Sequence, residues 1–176
     1  MFGKKISLRA LEKSDLELLY SWENDSENWT VSQTSEPISK FTMELFIENA
    51  DKDIFATRQL RLMIVENTTA EPVGTVDLFD FEPLHKRVGV GVLITKEKRL
   101  HGYADEAVKL IKNYAFKVLN LHQIYCNIAA GNAVSLKLFE NNGFQIADVK
   151  KEWLYLNDVW TDEYFLQCIE VNQRKF

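Results

Sequence analysis

Apolar residues recur along this chain in two rhythms. Runs dense in β-branched and aromatic residues, at Ile6–Arg9, Leu60–Glu66, Val73–Phe81, Arg87–Ile94, His122–Ile128, Phe144–Tyr155 and Val159–Ile169, predict seven strands. Helical spacing is clearest in Tyr103, Ala104, Ala107, Val108, Leu110, Ile111, Ala115, Phe116 and Leu119, which predicts a long helix starting near Gly102. Further helices are expected over Asp15–Glu23, with Ser14 and Glu17 at capping-box spacing, over Phe41–Ala50, and over 133–141, closed by Gly143. A polar stretch after the first helix reads as a long loop. An Asn67–Pro72 turn joins the second and third strands, and Leu156-Asn157-Asp158 joins the last two. The order is mixed α/β, with no internal repeat.

Where the strand Arg87–Ile94 gives way to the long helix, the chain reads Arg99-Leu100-His101-Gly102-Tyr103-Ala104. The first N–H groups of a helix have no intrahelical acceptor and stand at the positive end of its dipole. A small-residue turn at that point lets a pyrophosphate approach those donors, with Arg99 adding charge. The upstream strand contains Gly89 and Gly91, which suggests a bulge or a close approach of backbone to ligand.

After the helix come another apolar strand and the run Asn132-Ala133-Val134-Ser135-Leu136-Lys137-Leu138-Phe139-Glu140-Asn141-Asn142-Gly143-Phe144. Together, the Arg-x-x-Gly-x-Ala turn and this Asn-x-x-Ser-x-x-Leu-Phe-x-x-x-Gly-Phe run resemble the GNAT family of acetyl-CoA-dependent N-acetyltransferases. The opening Leu8-Arg9-Ala10-Leu11-Glu12-Lys13-Ser14-Asp15, with Trp22-Glu23-Asn24-Asp25, is similar to the branch that acetylates ribosomal-protein amino termini and polyamines. The resemblance implies an α/β (α+β) GNAT fold: a mixed, mostly antiparallel sheet of about seven strands, splayed at the acetyl-CoA site and flanked by about four helices. It further implies pairing of Val92, Leu93 and Ile94 with the pantetheine arm, and pyrophosphate capture by Arg99, Leu100, His101, Gly102, Tyr103 and Ala104. Contacts from Asn132 and Phe139 to the cofactor complete that half of the site. Relatives often assemble as dimers or larger, so a homo-oligomer is also compatible with it.

Composition narrows the picture. The 176 residues carry only seven glycines and three prolines, so a single domain over 1–176 is expected. No apolar run approaches membrane-spanning length and the beginning Met1-Phe2-Gly3-Lys4-Lys5 lacks the apolar segment of a secretory signal, which together point to a cytoplasmic protein. Twenty-one basic against twenty-six acidic residues, a net charge of −5, disfavour a nucleic-acid partner and suit a cationic substrate. Cys126 and Cys168 read as reduced core thiols. His85, His101 and His122 lack ligand spacing, so no metal is expected.

Acetyl transfer to an amine needs a neutral nucleophile, stabilisation of the developing oxyanion and departure of the sulfur. Amine substrates of pKa near 10.4 are mostly protonated at neutral pH, so a proton acceptor is required. Here the chain departs from its relatives. They commonly place a tyrosine acid where this chain has Phe139, and many in this branch carry a glutamate base where it has Gly89. Asp77, a carboxylate interrupting the core-like strand Val73–Phe81, is a candidate base or amine anchor; the alternative is an ion pair with Arg87 or Lys86. Ser135 and Tyr125 are candidate donors to sulfur, Glu82 and His85 a candidate proton relay. Asn132 also fits an N-cap.

Trp29, Trp153, Tyr155, Trp160 and Tyr164 are candidate walls of an acceptor pocket, and Glu23, Asp25, Glu27 and Glu36 candidate attractors of a polyamine or a protein amino terminus. Two functions follow: an acetyl-CoA:amine N-acetyltransferase, or a non-catalytic acyl-CoA-binding module with the same cleft.

Overall fold

A computed structural model describes residues 1–32 and 36–170. Strands β1 (Ile6–Arg9), β2 (Leu60–Glu66), β3 (Pro72–Glu82), β4 (Arg87–Ile94), β5 (Gln123–Ala129), β6 (Gln145–Leu156) and β7 (Val159–Ile169) form one sheet in the order β1-β2-β3-β4-β5-β7-β6. Every pairing is antiparallel except β4 with β5. That parallel pair is short: Arg87, Val88 and Gly89 face Gln123, Ile124 and Tyr125, and beyond them the two strands diverge. Seven strands, splayed where the resemblance requires it, are thus present.

Alternation along β2 shows how the sheet is covered. Leu62 and Ile64 belong to the main core, which includes Ala107, Val108, Ile111 and Ala115 of α5 (Tyr103–Lys117). Met63 and Val65 point the other way and pack with Leu19, Met43 and Ile47 from α1 (Leu16–Glu23) and α3 (Lys40–Asn49). A strand buried on both faces has to read as a near-continuous apolar run, and this one does. Removing Ile111 down to alanine, in the middle of the α5 seam, would cost about 2–5 kcal/mol.

Six α-helices are present among the described residues rather than the expected four or so. The stretch read as a polar loop contains α2 (Ser26–Ser32), started by Asp25, whose carboxylate accepts from the Glu27 N–H at 3.0 Å. A single turn, α4 (Ile54–Thr57), precedes β2 and is capped by Asp53. Both are short and carry little apolar periodicity, which is why the pattern passed over them. The α1 entry also differs. A 3₁₀ turn, Lys13–Asp15, comes first, and the reciprocal cap joins Glu12 to Asp15 rather than Ser14 to Glu17. Asp15 is buried because Arg9 grips both of its oxygens at 2.7 Å. The last helix, α6 (Ala133–Asn141), stands where it was expected.

Candidate active site

The divergence of β4 and β5 opens a cleft of about 160 Å³. Val92 and Leu93 of β4 line one side and Cys126 to Ala129 of β5 the other, with Asn132, Ser135 and Phe139 on the α6 side. Beyond the last pair, Gly89 with Tyr125, β4 has no β5 neighbour, so the backbone of Val92 and Leu93 is placed to pair with an extended arm. Ile94 is buried and lies outside the lining.

Gly102 is the N-cap of α5 with φ +82°, a left-handed geometry that a side chain resists; a Cβ there would also come within 3.3 Å of the Lys5 ammonium. The turn is braced from outside. Lys5 Nζ donates to the His101 carbonyl at 2.9 Å, and Glu106 accepts the backbone N–H groups of Lys4, Lys5 and Ile6. The Tyr103 hydroxyl donates to Glu66, which also receives Lys98 at 3.2 Å, and His101 stacks on Tyr103 with ring centres 5.6 Å apart. These bonds hold the Glu66 carboxyl at about 2, far below its ordinary value. Arg99 points back along the chain, donating to the Ile94 carbonyl at 3.1 Å and to Asn28 of α2 at 3.4 Å. Leu100 is fully exposed and Ala104 partly buried against the core. The donor-rich helix start, the small turn and the β4 edge left without a β5 neighbour fit a pyrophosphate with its extended arm.

Asn132 caps α6 through its side-chain oxygen, which accepts from the Ser135 N–H at 3.1 Å; Ser135 is thereby held in the first turn, on the cleft. Phe139 is buried in edge-on contact with Phe144, centroids 5.0 Å apart, and still reaches the cleft wall. Cys126 also lines the cleft, but burial pushes its thiol up to about 12, which removes it as a nucleophile.

The opposite wall is built from charge. Asp77 of β3 stands directly across from Arg61 of β2 and from Gly91 of β4. Arg61 Nε donates to Asp77 at 2.5 Å, and its terminal nitrogen donates to Glu23 of α1. The Asp77 ion pair is therefore with Arg61, not with Arg87 or Lys86, which lie at the far end of the β3–β4 hairpin. Behind the guanidinium, the Phe46 ring lies 5.1 Å away. Desolvation opposes the charge on Arg61, yet Asp77 and Glu23 outweigh it and hold it protonated. Asp77 goes the other way: burial, with the nearby Glu23 charge, raises its pKa against the pull of Arg61.

Four expectations fail on geometry. Glu82 and His85 sit at the hairpin end of β3 and β4, away from the splay, and cannot relay a proton into it. Tyr125 is not on the cleft; it packs against Phe79 and Phe165. Trp153, Tyr155 and Trp160 stand exposed on the β6–β7 hairpin, where Leu154 is the residue that reaches the cleft. Gly89 is glycine for a packing reason rather than for close approach of the cofactor. A Cβ there would meet the Phe79 ring at 2.3 Å, so Phe79 fills the space that a side chain at position 89 would need.

Of the acids named, Glu23 is on the cleft, Glu27 pairs with Lys96, and Glu36 is exposed. Trp29 donates its indole N–H to the Glu23 carbonyl at 2.8 Å, steadying the end of α1. Sequence reasoning missed Trp22, Asn28 and above all Arg61. A lone arginine inside the apolar run of β2 was the available signal, since it needs a carboxylate, and of the acids on β3 the register sets Asp77 opposite it. No helix among the described residues is long and apolar enough to cross a membrane.

Residues 5–145 match the family model of the acetyltransferase (GNAT) domain. The spermidine N(1)-acetyltransferase of Vibrio cholerae serotype O1 is 27% identical over 174 residues, 97% of this chain and 98% of that protein. The Escherichia coli K12 enzyme of the same name is 26% identical over 158 residues, 86% of this chain and 79% of that protein. The crystal structure of spermidine N-acetyltransferase from Vibrio cholerae in complex with CoA and spermine superposes with a TM-score of 0.83 at 25% identity, covering 95% of this chain and 96% of that one. With the splayed sheet and these matches, the chain belongs to the GNAT family and is an acetyl-CoA-dependent acetyltransferase.

Proposed function

We propose that the chain acetylates a primary amine of the polyamine class in a ternary complex with acetyl-CoA. The observation that carries this reading is the Glu23–Arg61–Asp77 cluster, two carboxylates to one cation, on the wall of the cleft that faces Ser135 and Phe139. The similarity to spermidine acetyltransferases supports it. A protein amino terminus is the other acceptor that the sequence suggested, and it lacks the second ammonium of a polyamine. We place the reaction in the cytoplasm, in keeping with two cysteines that are both unpaired.

When bound, acetyl-CoA supplies an acetyl group activated on a thioester sulfur. The turn Arg99–Ala104 would hold its pyrophosphate, the backbone of Val92 and Leu93 would pair with its arm, and Asn132 and Phe139 would stand beside that arm. Asp77 takes the proton that the amine nitrogen sheds as its bond to the acetyl carbon forms; its raised pKa brings it closer to what a base near neutrality needs. Ser135, fixed by Asn132, offers its hydroxyl to the departing sulfur in the place of the tyrosine that Phe139 replaces. A thiol of pKa about 8.5 leaves without strong acid help, so the absence of that tyrosine is tolerable.

Phe139 and the packed Gly89 favour the second reading, a module that binds acyl-CoA without turning it over. Release of free CoA from acetyl-CoA, measured with spermidine, aminoglycosides and amino-terminal peptides, separates the two. Turnover with spermidine is expected; cofactor binding without turnover on any acceptor establishes the module.

A further inference from the structure

Among the described residues, three charged side chains line the cleft: Glu23, Arg61 and Asp77. Arg61 engages one oxygen of each carboxylate. Asp77 is also hydrogen-bonded by Thr75 beside it on β3. Among the described residues nothing else bonds the second oxygen of Glu23, which leaves it as the open acceptor of the cluster. Next to it on α1, the Trp22 ring lines the same cleft and provides an aromatic face for an alkylammonium chain.

Charge balance then bears on the substrate. The attacking nitrogen must be neutral, with its lone pair free, when it meets the acyl carbon. At that moment the wall carries two negative charges and one positive, and the surplus charge is matched only if the acceptor molecule brings a cation on some other atom. A monoamine brings none, whereas a di- or polyamine brings one a few carbons away.

We propose that Glu23 is the residue that selects the acceptor, holding a second ammonium of a di- or polyamine while the first, neutral nitrogen reacts beside Asp77. Arg61 limits the wall to one such charge and keeps the two carboxylates apart. This inference rests on the polyamine reading above and adds to it the residue and the charge that make the choice.

The test compares spermidine with butylamine, a monoamine that matches its aminobutyl arm, at saturating acetyl-CoA. Wild-type protein is expected to favour spermidine, and Glu23→Gln to reduce the ratio of the two kcat/KM values by about tenfold, mainly through the KM for spermidine, the loss typical of a hydrogen bond to a charged group. Glu23→Asp, which keeps the charge and withdraws it by a methylene, should fall between the two and answers the question even where the glutamine variant folds poorly. An unchanged ratio in both variants, with wild-type preference for spermidine intact, overturns the role of Glu23 and leaves the polyamine reading standing. Wild-type protein that shows no preference for spermidine over butylamine overturns both.

Discussion

The two halves of the cleft are built from different material. The half we assign to the cofactor is made of backbone: the start of α5, the turn before it and the freed edge of β4, with side chains such as Glu66, Glu106 and Lys5 serving only to hold that backbone still. The half we assign to the acceptor is made of side chains from three separated elements, α1, β2 and β3, that meet in one ion-paired cluster. A backbone site depends on local conformation and tolerates many residue types provided the turn keeps its shape. A side-chain site depends on particular charges, so single substitutions there should change chemistry more than they change the fold.

The largest effect is therefore expected in the acceptor half. Asp77→Asn removes the proton acceptor we propose and leaves Arg61 with one carboxylate; kcat for CoA release with spermidine should fall by about 100-fold, within the usual span for general base catalysis. The wild-type pH–rate profile should show its acid limb above the ordinary aspartate value of about 3.9, because burial raises this carboxyl, and activity is lost as the pH falls through it and Asp77 becomes protonated. Full turnover by the asparagine variant would take Asp77 out of the mechanism.

In the cofactor half the corresponding break is conformational. Gly102→Val places a branched side chain at φ +82°, where a non-glycine residue costs about 1–2 kcal/mol. Acetyl-CoA affinity, read by calorimetry, should weaken by about tenfold, while kcat at saturation changes far less. A variant that binds acetyl-CoA as the wild type does would show that the turn is not the phosphate grip.

Gly89 tests whether the missing base can be restored. Gly89→Glu puts a Cβ 2.3 Å from the Phe79 ring, an overpacking that typically costs about 1–3 kcal/mol, so Tm should fall by several degrees. Adding Phe79→Ala opens the space and should recover part of the loss. If the single variant is as stable as the wild type, Phe79 does not explain the glycine.

The same contrast between the halves explains how much could be read before the structure. The bounds of β2, β4, α6 and β7 follow from local patterns, and the turn at the start of α5 was visible because its parts, an apolar strand, small residues and an amphipathic helix, are contiguous. Arg61 and Glu23 meet Asp77 only through the β2–β3 register and the packing of α1, neither of which leaves a trace in any one segment. The exposed aromatics of the β6–β7 hairpin misled for the opposite reason: alternation shows that Trp153 and Leu154 face opposite ways, not which side the cleft is on.

The smallest effect is expected where side chains merely support the backbone. Glu66 holds Tyr103, at the first position of α5, together with Lys98 and Thr69, so Glu66→Gln should loosen the turn and weaken acetyl-CoA binding by a few-fold, with no change in which amine is preferred. The pH dependence gives the sharper measurement. Its carboxyl sits at about 2 in the folded protein against an ordinary 4.5, so the folded state favours the ionised form. The stability that this contributes is fully present above about pH 4.5 and is lost as the pH falls toward 2. The Tm gap between wild type and Glu66→Gln should therefore be widest near neutrality and close on acidification through that window. A gap that stays constant down to the acid end would mean that the Glu66 charge does not brace the turn, and that the cofactor half is held by packing alone.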